Sequence, residues 1–107
     1  MRYLIRFEAS LEAGARVDRS PGGPGAAIGR ILELLKPETF YVSVFRREVF
    51  MIVNSDDAAM LTEATHLIQL VGGANPEVTA VLSSQDTMAI LPQAVARAVA
   101  GATSLGL

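Results

Sequence analysis

Two runs rich in β-branched and aromatic residues, Thr39–Phe45 and Glu48–Asn54, are separated only by Arg46 and Arg47. That spacing constrains the chain more than any other feature, because extended segments joined by so short a connection must pair as an antiparallel hairpin. The rest of the fold reads outwards from it. Upstream, Gly25–Leu35 carries Ile28, Ile31, Leu32 and Leu35 at i, i+3, i+4 and i+7, the stripe of a helix lying on a core. Lys36-Pro37 ends that helix, since lysine suits the negative helix terminus and the residue before a proline is pushed out of the α region. Residues 2–9 alternate as a strand, with Tyr3, Ile5 and Phe7 on one face and Leu4, Arg6 and Glu8 on the other. Between strand and helix, residues 10–24 hold Gly14, Pro21, Gly22, Gly23 and Pro24 and read as a long connection, expected to be mobile and to gate the outer sheet face. The plainer alternative is a surface loop, or a short helix over about Leu11–Arg16, with no role in function.

Downstream of the hairpin, Ser55 is placed to cap a second helix, with Asp56 and Asp57 in the first turn where the dipole favours negative charge. Met60, Ala64, Leu67 and Val71 form its stripe, and Gly72-Gly73 stops it. Pro76–Leu82 reads as a fourth strand, and Ser83-Ser84 with Gln85-Asp86 opens a C-terminal helix over 85–101. Pro92 either kinks that helix or begins a separate one. The order β-α-β-β-α-β plus a terminal helix predicts an α+β fold of the ferredoxin-like kind. It has a four-stranded antiparallel sheet with two helices on one face, in a single domain over 1–107.

The second sheet face carries the functional expectation. Leu4, Tyr41, Phe45 and Val81 fall out of phase with Ile5, Val42, Val44 and Ala80, so both faces are substantially apolar. A sheet with one wet face shows polar residues there, so this one calls for a cover, and a second copy of the chain is the economical one. A net charge of −2 argues against a nucleic-acid partner. With no cysteine and one histidine, thiolate zinc sites, iron–sulfur clusters and His-rich metal centres are excluded, and neither metal nor cofactor is expected. The N-terminus lacks an apolar signal region, and the longest apolar run, Val49–Val53, falls far short of the roughly 20 residues of a membrane span. A soluble cytoplasmic protein with no membrane partner is the expectation. Eight of nine basic residues are arginine and alanine is abundant, as in GC-rich bacterial genomes.

Three places invite chemistry. Gly23-Pro24-Gly25-Ala26-Ala27-Ile28-Gly29 has dinucleotide-like glycine spacing, but it does not follow a strand directly and no parallel strand ending in an acidic residue comes next. A flexible lead-in to the helix is the simpler reading. His66 is the only residue that titrates near neutrality unaided, yet it lies about 160° from Ala64 around its helix, far from the buried stripe. Arg6, Tyr41 and Ser43, with Phe45, mark the outer sheet face as the candidate ligand site. There a lone arginine among apolar groups can bind a carboxylate or enolate. Pairing of Arg6 with Glu8 or Glu48 across strands is the competing structural reading.

The strings Ile31-Leu32-Glu33-Leu34-Leu35-Lys36-Pro37-Glu38, Phe40-Tyr41, Arg46-Arg47-Glu48-Val49-Phe50-Met51-Ile52-Val53 and Asp56-Asp57-Ala58 carry a further signal, as do Val81-Leu82-Ser83 and Asp86. Over Met1–Pro92 the chain resembles a bacterial family of small dimeric α/β-barrel proteins related in fold to muconolactone isomerase. The resemblance implies a ferredoxin-like homodimer and brings no catalytic signature. Two functions fit: a homodimer binding a small apolar or carboxylate-bearing metabolite between sheet and partner, or a cofactor-free isomerase, cyclase or monooxygenase acting on an apolar carbonyl or aromatic substrate.

Overall fold

The computed structural model describes residues 1–107 and contains eight elements. They are β1 (Arg2–Glu8), α1 (Leu11–Arg19), α2 (Gly23–Leu35), β2 (Thr39–Ser43), β3 (Glu48–Asn54), α3 (Ala58–Gly72), β4 (Glu77–Val81) and α4 (Ser84–Ser104). The strands form one open antiparallel sheet in the order β2-β3-β1-β4. β1 pairs with β3 from Arg2↔Asn54 to Glu8↔Glu48, and with β4 from Arg2↔Val81 to Arg6↔Glu77. β2 adds the register Phe40↔Met51 and Val42↔Val49. Strand alternation then sorts the side chains. Ile5, Phe7, Val49, Met51 and Val53 point to one face, where Ile31 and Leu35 of α2 and Ala64 and Ile68 of α3 bury them. The chain is therefore α+β, with an open antiparallel sheet, a helical layer on one face and four helices in all.

Residues 10–24 are not a loop. The Ser10 hydroxyl accepts the Ala13 N–H at 3.1 Å and caps α1, which buries Ala13 and Gly14. These small residues let α1 lie close against α2 and α3, so the segment is ordered with few large apolar groups. Only Ser20–Gly22 remains as a connection, and Pro24 falls in the first turn of α2, where its missing N–H removes no helical bond. β2 likewise stops at Ser43 rather than Phe45. Lacking Asn-Gly, the hairpin turns through four residues, Val44–Arg47, and Arg47 takes the left-handed conformation at φ 52°. Phe45 consequently lies in the turn, 96% exposed, and not on a sheet face.

The cap of α3 is Asp57 rather than Ser55. Its carboxylate accepts the Met60 N–H at 3.0 Å, while Ser55 accepts the Asp57 N–H. The buried stripe of α3 is Ala64, Ile68 and Gly72. α4 runs unbroken through Pro92 and is longer than 85–101, with the Ser83 hydroxyl accepting the Asp86 N–H at 3.1 Å as its cap. None of its residues is buried. It projects from the β4 end of the molecule, whose extents are 60 × 27 × 25 Å. No helix is long and apolar enough to cross a membrane.

Candidate functional site

The outer sheet face presents cross-strand rows. Tyr41, Phe50, Arg6 and Glu77 form one row, and Thr39, Ile52, Leu4 and Thr79 the next. Tyr41 and Ser43 thus share a face with Arg6, with Ser43 opposite Glu48; Phe45 does not join them. Arg6 forms ion pairs with Glu48 and, at 3.1 Å, with Glu77, and its guanidinium lies 6.0 Å from the Phe50 ring centre. Hydrogen bonds to Glu77 and Glu48 hold its pKa above the ordinary arginine value. Glu48 is only 5% exposed, and Arg6 is its compensation. Register explains the need: Glu8 and Glu48 face each other across β1 and β3, and each takes its own arginine, Glu8 pairing with Arg46 at 3.2 Å. Arg6 is therefore committed to two carboxylates, which weakens its claim on an anionic ligand.

A second site lies on the opposite side of the sheet, in the helical layer. A cleft of ≈500 Å³ opens between the β2–β3 turn, α1 and α2. Phe7, Val42 and Val49 of the sheet form its floor, and Ile28 and Ile31 of α2 one wall. Gly14 and Val17 of α1 face them, and Val44 and Phe45 form the rim. The exposed turn aromatic thus has a place, though not the one its position in the sequence implies.

One ion pair spans this cleft. Arg47 reaches from the turn to α1 and donates to both carboxylate oxygens of Asp18, at 2.7 and 3.1 Å. The Arg47 hydrogen bonds hold the Asp18 carboxyl below the usual carboxylate range, and Asp18 in turn raises the Arg47 pKa. The left-handed Arg47 backbone aims the side chain across α1, and Gly14 makes room: a Cβ there would sit 2.7 Å from Arg47 Cδ. The arrangement is an apolar space latched by one neutralised pair. Sequence reasoning missed it because its residues come from seven segments, the β2–β3 turn and every element but β4 and α4, and the signal in α1 amounts to Val17 alone among large apolar residues facing inwards.

The remaining candidates stay apart from both sites. His66 is exposed on α3, its Nδ1 2.9 Å from the Thr62 carbonyl oxygen one turn back. Gly23–Gly29 forms the first half of α2, reached from α1 rather than from a strand. No group of three or more His, Cys, Asp or Glu side chains is gathered to hold a metal. Because α1 packs against α2 and α3, residues 10–24 lie across the sheet from Arg6 and Tyr41 and do not cover them. Comparison with known protein families, curated proteins and solved structures finds nothing that matches this chain.

Proposed function

We propose that the chain is a homodimeric binding protein for a compact, mostly apolar small molecule held in the cleft between the sheet, α1 and α2. The cleft itself carries this reading. Its ≈500 Å³ falls inside the range of about 300–1,000 Å³ usual for small-molecule sites, and apolar walls with one polar feature are what such sites present. The alternative of a cofactor-free isomerase, cyclase or monooxygenase asks for a group free to take or give a proton. Asp18 and Arg47 are the charged side chains lining the cleft, and their two-point pairing favours binding over chemistry. A carboxylate ligand on Arg6 is disfavoured because Glu48 and Glu77 already compensate that charge.

The same proposal takes the architecture as ferredoxin-like and akin to the dimeric barrels related to muconolactone isomerase. Support comes from interleaving: β3 lies between β1 and β2, and β1 lies between β3 and β4. Each βαβ unit is thereby split by a strand of the other. The test uses the uncharged fluorophore N-phenyl-1-naphthylamine. Saturable one-to-one binding is expected, and it should be lost in Ile28→Trp, which fills the cleft while leaving the far-ultraviolet circular dichroism unchanged. Non-saturable binding, or binding indifferent to that substitution, would overturn the reading.

A further inference from the structure

Two surfaces of this chain lack a cover, and they match each other. The first is α4. Its Met88, Leu91, Val95 and Val99 fall at steps of three and four residues, a single stripe, while Asp86, Gln93 and Arg97 lie on the opposite side. The stripe residues are between 49% and 71% exposed. Asp86 and Arg97 are the only charged residues in the 21-residue helix. The second surface is an apolar patch on the outer sheet face, where Leu4 and Ile52 lie side by side with Phe50 and Tyr41 in the adjoining row. The rest of that face is largely polar and includes the Arg6–Glu48–Glu77 cluster, so it is not the substantially apolar face that the sequence suggests.

Area shows that something is missing. A compact 11.3 kDa chain should expose about 5,700 Å², whereas this one exposes 7311 Å². The excess is about 1,600 Å² per protomer, twice the roughly 800 Å² each partner gives up in a standard interface. Shared between two copies it amounts to about 3,200 Å², within the range of obligate homodimers. The radius of gyration agrees: 18.3 Å against about 13 Å for a compact chain of this length. Only 13 of 107 residues are buried, so the protomer core is small for its length.

We infer that α4 is an exchanged arm, which lies along the outer sheet face of a second copy while that copy returns its own α4. The inference deepens the homodimeric part of the proposed function and rests on it. Dimensions fit: α4 is about 32 Å long, and the face measures about 23 Å along β1 by about 14 Å across the four strands, so the helix spans it on the diagonal. Charge separates this occupant from a lipid surface. Helices that lie on membranes carry several Lys or Arg on the polar face, and α4 has the single Arg97. Exchange also covers the α4 stripe and the apolar patch of the sheet at once, whereas packing sheet on sheet leaves α4 bare.

The test compares full-length variants by light scattering at micromolar concentration. Wild type should have twice the 11.3 kDa chain mass. Val95→Glu on the stripe and Ile52→Glu on the sheet should each weaken the dimer about a hundredfold, since either one buries an unpaired carboxylate. Both should keep the wild-type circular dichroism. If Ile52→Glu unfolds, Tyr41→Glu probes the same face from an exposed position. Mixing the two variants is the decisive arm. The intact helix of Ile52→Glu can lie on the intact sheet of Val95→Glu, so the mixture should regain dimers that neither variant forms alone.

A monomeric wild type overturns the homodimeric reading and the exchange together. A dimer indifferent to Val95→Glu, or one lost by Val95→Glu but indifferent to the sheet variants, leaves a homodimer and overturns the exchange. Failure of the mixture to regain dimers does the same. Co-sedimentation of wild type with phosphatidylcholine–phosphatidylglycerol vesicles in place of dimer formation overturns it in favour of a lipid surface.

Discussion

α3 and α4 are both long, both capped at the N-terminus by a side-chain oxygen, and both striped, yet only α3 belongs to a core. Asp57 caps one and Ser83 the other, each accepting a backbone N–H three residues on. α3 lays Ala64, Ile68 and Gly72 against the sheet and α2, and ends at Gly73 in the left-handed region, φ 64°. α4 buries none of its residues against its own chain. Local chemistry therefore accounts for why both are helices and not for where they go. Position comes from the crossover. α3 joins β3 to β4 within one sheet and has to lie on the helical layer, while α4 leaves the sheet from its edge strand β4.

The largest effect expected from this contrast separates core from arm. Ile68 is 1% exposed in the centre of the cluster, and Ile68→Ala should lower unfolding free energy by about 2–5 kcal/mol at any protein concentration. Val95→Ala should stay within about 0.5 kcal/mol when the chain is dilute enough to be monomeric, and should become costly only as concentration rises. Urea titrations at two concentrations measure both. A concentration-independent loss at Val95 would break the comparison by placing α4 in the protomer core.

Next in size is the proline. Pro92 removes an N–H from the interior of α4 and leaves the Met88 carbonyl without its helical partner. Pro92→Ala should strengthen the helix by about 3 kcal/mol, read as slower amide hydrogen exchange along 84–104. The unfolding midpoint of the sheet should not move, because α4 buries none of its residues against the rest of the chain. A raised midpoint in dilute protein would show that the arm is tied to its own body.

The same contrast explains what the sequence discloses. Strand faces are legible because alternation is written in large residues: Ile5 and Phe7 against Leu4 and Arg6. α2 is legible through Ile28, Ile31 and Leu35. α1 is legible only in part, as a short helix over Leu11–Arg16 offered as an alternative to a loop, because what it buries is Ala13 and Gly14, residues too small to make a hydrophobic period and usual in loops. β2 is read two residues too long because Val44 and Phe45 continue the β-forming composition into a turn whose four-residue geometry depends on Arg47 reaching φ > 0. The stripe of α4 is visible in the sequence, but whether its cover belongs to the same chain is a matter of topology. The Arg6 pairing with Glu48 is half legible: both residues are expected on adjoining strands, but the second carboxylate, Glu77, depends on the β1–β4 register.

The smallest expected effect concerns α1, which stands between the two cases: it is packed, but partly by a surface ion pair. Asp18 is partly exposed and bonded at both oxygens to Arg47. Its carboxyl titrates below the ordinary value because the charged form is the one those hydrogen bonds favour. A lowered carboxylate pKa contributes stability that is fully present above the unfolded value, about 3.9, and is lost as pH falls through the lower folded value. Arg47 is raised, so its contribution is present at all lower pH and fades only in strong alkali. The latch should thus be constant across neutral pH and open only in acid. The Gly14 N–H, bonded to the Ser10 carbonyl at 2.8 Å, reports on it. In wild type its NMR resonance should shift below about pH 3.9 towards the position it has in Asp18→Asn at neutral pH, while the Ile68 amide of α3 stays fixed. A Gly14 resonance identical in Asp18→Asn and wild type at neutral pH would mean that packing of Ala13 and Gly14 alone seats α1, and would move α1 fully into the class of α3.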